Sequence, residues 1–135
     1  MKKLLFGFLF LTSCVQTGGS GVGGETITYV TYPIPATATV TANAASIDWS
    51  DGDLQVVDLQ GSTGDVTVTM SNPHTGATAL KIIQGDNGDT IIWSPVALWS
   101  EGTIPTITAA NDSVDLASFV WDGSSYLGSI TQDLQ

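Results

Sequence analysis

From residue 26 onward the chain alternates apolar or β-branched side chains with polar ones over short stretches, and Gly, Pro, Asn or Asp closes each stretch. Residues 66–70 show the pattern most clearly: Val66, Val68 and Met70 fall on one side, Thr67 and Thr69 on the other. A period of two places successive side chains on opposite faces of a strand. No stretch carries the 3.6-residue apolar period with caps that a helix requires. Further runs lie at 26–32, 36–41, 46–49, 54–59, 78–84, 90–93, 113–122 and 126–130. Between them stand Asp51-Gly52, Gly61–Gly64, Asn72-Pro73, Asn87-Gly88 and Asp122-Gly123, all turn formers. With 135 residues, 42% of them apolar, the chain suffices for one domain and one core. The expected fold is all-β: a single antiparallel β-sandwich or jelly-roll-like domain of eight or nine short strands over residues 25–135. Asn87-Gly88 is expected to close a hairpin, and so is 122–125.

The N-terminus reads differently. Lys2-Lys3 precedes an apolar run, residues 4–11, that ends in Leu11-Thr12-Ser13-Cys14. The run is too short to span a bilayer and has the plan of a secretory leader. Its end resembles the lipobox of bacterial lipoproteins, and the only Cys of the chain stands at the modified position. That resemblance implies a leader over residues 1–13, lipid attachment at Cys14, and membrane contact only through that lipid. Residues 14–24 are Gly-rich and read as a tether.

Charge narrows the partners. Without Lys2 and Lys3 the body holds one cation, Lys81, against 13 acidic residues, a formal charge of −12, and there is no Arg. Phosphate neutralisation needs clustered Lys and Arg, so a nucleic-acid partner is excluded. One Cys and one His leave no thiolate or imidazole metal set within a single chain. Asp48, Asp51 and Asp53, and likewise Asp86 and Asp89, read as turn formers, since neither group follows the calcium-loop pattern. His74 reads as a solvated loop residue. No nucleophile elbow, phosphate-binding loop or facing carboxylate pair is evident. The expectation is therefore no enzyme, no cofactor and no metal.

The order of motifs between residues 46 and 130 resembles a small β-domain common in phage tail-fibre and head-fibre proteins. It comprises Ile47-Asp48-Trp49, then 66–70 with Ser71-Asn72-Pro73, Gln84-Gly85-Asp86, and the return 88–93. There follow Trp99-Ser100-Glu101-Gly102-Thr103, Pro105-Thr106-Ile107-Thr108, Val114-Asp115, Phe119-Val120-Trp121-Asp122-Gly123 and Tyr126-Leu127-Gly128. Trp93-Ser94-Pro95 and Trp99-Ser100-Glu101-Gly102 depart from the Trp-Pro and Trp-Pro-Gly-Gly of that pattern. The resemblance implies a non-enzymatic virion component, often a homotrimer, that contacts other virion proteins and a host-surface glycan or receptor. Trp49, Trp99, Glu101 and Tyr126 are the candidate binding surface, with Trp99 the best placed for exposure, whereas Trp93 and Trp121 read as core. Two other readings stay open. One is an outer-membrane lipoprotein of phage or bacterial origin that binds a carbohydrate or receptor. The other is a pilus-like subunit that inserts residues 26–32 into a neighbour.

Overall fold

The computed structural model describes residues 34–134. The leader, Cys14, the Gly-rich tether and the expected strand at 26–32 lie outside the described residues. Nine strands follow one another: β1 (Ala36–Ala38), β2 (Ala44–Asp48), β3 (Leu54–Asp58), β4 (Val66–Ser71), β5 (Ala77–Ile83), β6 (Ile91–Ser94), β7 (Leu98–Trp99), β8 (Val114–Trp121) and β9 (Tyr126–Thr131). Single 3₁₀ turns at Trp49–Asp51 and Ser100–Gly102 are the only helical pieces among the described residues. The all-β expectation holds.

The topology is not that of an antiparallel sandwich. The first six strands alternate between two sheets. β1, β3 and β5 pair in parallel in one, and β2, β4 and β6 pair in parallel in the other. The chain therefore winds in three stacked coils, each giving one strand to each sheet, as in a β-solenoid. Register partners Ala36↔Gln55, Ala44↔Thr67 and Leu54↔Ala79 set coils of 19, 23 and 25 residues. After the third coil the chain changes rule. β8 runs antiparallel to β5, β9 antiparallel to β8, and β7 adds in parallel to β9. The first sheet thus has six strands in the order β1-β3-β5-β8-β9-β7, and the second has three.

The physical reason for the difference lies at the corners. Period-two alternation is the same whether the next strand returns in the same sheet or crosses to the other. Asn87-Gly88 does form a turn, with Gly88 at φ 63°. Yet β6 crosses to β4 instead of pairing with β5, so the expected hairpin is a corner between sheets. The 122–125 hairpin is present: the Asp122 carboxylate accepts hydrogen bonds from the Ser124 and Ser125 N–H groups at 2.8 and 2.7 Å and fixes the turn.

Inward positions of both sheets meet in one core. Val57, Leu80, Ile82, Ala117 and Phe119 come from the large sheet, and Ile47, Val66, Val68, Met70 and Trp93 from the small one. One inward row of the large sheet runs Thr78, Phe119, Gly128, Trp99 across four strands. Gly128 is the gap in that row. A Cβ there would lie 2.8 Å from two atoms of the Trp99 ring, so the missing side chain is what lets the indole lie over β9 and reach Phe119. Gly128→Ala should therefore displace Trp99 and destabilise the fold by about 1–3 kcal/mol, the usual cost of overpacking. Urea unfolding of the variant beside the wild type measures it.

Candidate functional site

The four residues expected to form a binding surface do not share one. Trp49 and Tyr126 are 1% and 2% exposed, and Trp99 is 8% exposed, whereas Glu101 stands in solvent. This corrects the expectation of an aromatic platform. The reason is position in the register. Trp99 is level with Gly128 on an inward row, Tyr126 opens β9 on an inward position, and Trp49 follows the inward Ile47 at the corner after β2. Trp93 is core, as the sequence implied, and Trp121 is partly buried against it.

These rings form a single aromatic cluster around Phe119. Trp49, Trp93, Trp99 and Tyr126 approach its ring with centroids 6.1, 5.5, 5.6 and 6.0 Å away, and Trp93 and Trp99 are 5.2 Å apart. The tilted and edge-on angles are those that aromatic quadrupoles favour. The indole N–H groups of Trp49, Trp93 and Trp99 and the Tyr126 hydroxyl are buried without a hydrogen-bond partner among the described residues. Burial also raises the Tyr126 phenol above its ordinary pKa; the nearby Trp49 indole opposes this shift without closing a bond of normal geometry. The cluster is a packing element that tolerates polar loss, not a surface for recognition.

Trp99 and Glu101 do border one open feature. A cleft of about 260 Å³ is lined by Trp99, Ser100, Glu101, Thr103, Pro105, Ser129 and Ile130. Glu101 adopts a left-handed φ of 65°, with Gly102 next at 69°. The cleft offers one carboxylate and the hydroxyls of Ser100, Thr103 and Ser129. That set accepts hydrogen bonds from a small hydroxylated molecule. It supplies no acid–base pair, since His74 instead contacts Asp53 at 2.9 Å in the loops flanking β3 and β5. His74 lies in the loop before β5 with its side chain 40% exposed, in keeping with its reading as a solvated loop residue. Ser129 and Ile130 escaped the sequence reading because they join the cleft only through the pairing of β7 with β9, and a two-residue strand leaves no periodic signal.

The carboxylates are bound up in local structure. Asp48 accepts from the Ser50 N–H and hydroxyl and from the Asn72 amide, and these bonds hold its pKa below the ordinary carboxylate value. Asp122 is lowered likewise, chiefly by the Ser124 and Ser125 N–H groups. Buried Asp115 receives the Thr108 N–H at 2.6 Å, the Thr108 hydroxyl at 2.8 Å and the Asp133 N–H at 2.8 Å. It thereby ties the 105–108 segment and the C-terminus to β8. Among the described residues no group of three or more His, Cys, Asp or Glu is placed to hold a metal ion. No helix among them is long and apolar enough to cross a membrane. No protein-family model, curated protein or solved structure matches the chain.

Two outcomes follow from the carboxylates. Asp115→Ala removes the acceptor of the half-buried Thr108 N–H and hydroxyl and should cost about 1–3 kcal/mol in chemical denaturation. Asp48 and Asp122 have folded-state pKa values below their unfolded ones. Their contribution is thus complete above the unfolded value near 4 and is lost as pH falls through the folded values. The urea midpoint should drop between about pH 5 and pH 2, and Asp122→Asn should flatten that drop.

Proposed function

We propose that this chain is a non-enzymatic structural protein of a phage virion, a fibre- or decoration-type component that assembles with copies of itself and contacts other virion proteins. One observation carries the reading: many of the side chains with chemical capacity are spent on architecture. Asp48 and Asp122 pin turns, Asp115 anchors a loop, and four of the aromatic rings surround Phe119. The motif order that resembles phage-fibre domains points the same way, and three copies per assembly is the number that resemblance implies. The cleft beside Glu101 is where a glycan of the host surface would bind, through the hydroxyl and carboxylate groups that line it.

A second reading rests on Cys14 and the Gly-rich segment after it: a surface-anchored lipoprotein, of the outer membrane, whose body binds a carbohydrate or receptor. The pilus-like alternative needs residues 26–32 to enter a neighbour. Mass spectrometry of purified particles and of envelope fractions separates the first two. Recovery in particles at a fixed ratio to the capsid protein is the expected result. Recovery only in envelopes, with fatty-acid labelling abolished by Cys14→Ser, overturns the virion reading in favour of the lipoprotein. Deletion of residues 25–35 that abolishes polymers but leaves the body folded would favour the pilus-like subunit instead.

A further inference from the structure

The outward faces of the two sheets differ in kind. On the three-stranded sheet, outward positions are mostly hydroxylated: Ser46, Thr69 and Ser94 align across β2, β4 and β6. On the six-stranded sheet they are mostly apolar. Ala77, Val120, Leu127 and Leu98 lie level across β5, β8, β9 and β7, and all four are exposed. Val56, Lys81 and Leu116 form a parallel row. Leu98, at 58% exposure, and Leu127, at 44%, have no covering element among the described residues. The row between the Val120 and Leu116 rows, of Leu54, Ala79, Ser118 and Ser129, is mixed, so the apolar surface is a band along Ala77, Val120, Leu127 and Leu98. An exposed apolar band on a strongly acidic molecule marks a contact surface.

We propose that this face is where copies of the chain meet. The proposal rests on the self-assembling reading above and names its surface. Charge selects the occupant. Asp58 is the only acidic residue at an outward position of this sheet; the other described acids lie in turns and loops, at the end of β2, or inward at Asp115. Lys81, the sole described cation, stands on the same face between Val56 and Leu116, without an ion-pair partner among the described residues. The face therefore carries one charge of each sign and is neutral, while the remainder of the molecule is anionic. A basic partner would be drawn elsewhere. A second copy meets least repulsion here, and can set its Asp58 against Lys81 and its Lys81 against Asp58, the reciprocity of a two-fold contact, which pairs copies and is distinct from the three-fold contact that the fibre resemblance implies.

The size is adequate. Six strands about 4.8 Å apart and about 17 Å long give roughly 500 Å² of flat face per copy, so about 1,000 Å² for a pair, the lower bound of specific interfaces.

The test is the mass of the full chain by sedimentation at micromolar concentration. Leu127→Asp and, independently, Leu98→Asp should each weaken association at least about tenfold while the strand-type dichroism and urea midpoint stay near those of the wild type. Lys81→Glu should also weaken it, and addition of Asp58→Lys should restore it. An oligomer that persists in both Asp variants overturns this face but leaves the assembly reading standing. A monomeric wild type overturns both. A monomer in which Leu127 is shielded from solvent probes would put the chain's own N-terminal residues on the face, and equally overturns the proposal. Failure of the charge exchange to restore association removes the Lys81–Asp58 pairing.

Discussion

Phe119 meets more aromatic rings than any other ring among the described residues. It lies on β8, the strand that runs antiparallel to the last coil, yet it meets Trp49 from the first coil, Trp93 from the third, and Trp99 and Tyr126 from β7 and β9, which precede and follow it in the chain. Phe119 thus adds an aromatic junction to the β5–β8 pairing that joins the coiled and hairpin parts of the chain. The junction depends on the absence of a side chain, because only a glycine at position 128 leaves room for Trp99 to lie against Phe119. Three buried indole N–H groups and a phenol have no hydrogen-bond partner among the described residues. Their desolvation opposes folding by about 1–3 kcal/mol apiece, and ring burial has to exceed that cost.

Polar residues inside the corners do a complementary job. Gln84, wholly buried after β5, donates to the carbonyls of Asp89 and Thr108 at 2.9 and 3.0 Å and accepts from the Gly85 N–H. Ser62 and Asp89, both buried, bond to each other across two successive coils. Gln55 reaches back to the carbonyl of Asp48. Each such side chain satisfies backbone or side-chain groups that a solenoid corner removes from water, where an unpaired carbonyl or N–H is costly. Asp48 and Asp89, which read as turn formers in the bare sequence, are likewise tied into the corners, through Ser50 and Asn72 and through Ser62.

What could be read from the residues follows from which physical signal is local. Strand existence is local: the runs at 54–59, 66–70 and 78–84 correspond to β3, β4 and β5, because alternation needs only neighbours. Strand partnership is not. Val66, Val68 and Met70 alternate identically beside a parallel or an antiparallel neighbour, and Asn87-Gly88 turns the chain without stating into which sheet. Hence the alternation suggests an antiparallel sandwich where three parallel coils occur, and antiparallel pairing between the described strands is confined to β5, β8 and β9. The site suffered in the same way. Trp49, Trp99 and Tyr126 are large aromatics near turns, and only the register discloses that all three point inward. Thr108 and Asp115 were both legible as motif residues, but the bonds between them belong to the folded geometry.

The change of direction at β8 sets how a chain of this design can vary in length. β5 carries β8 antiparallel on one edge, so no fourth parallel strand can be laid there without displacing the hairpin and the ring that anchors it. β1 and β2 each pair with a single strand among the described residues. A duplicated turn of 19–25 residues spliced in ahead of β1 would keep every inward position inward. Length could thus change in whole coils ahead of β1, while the C-terminal end, with its aromatic lock and Asp115 tie, would stay the same size.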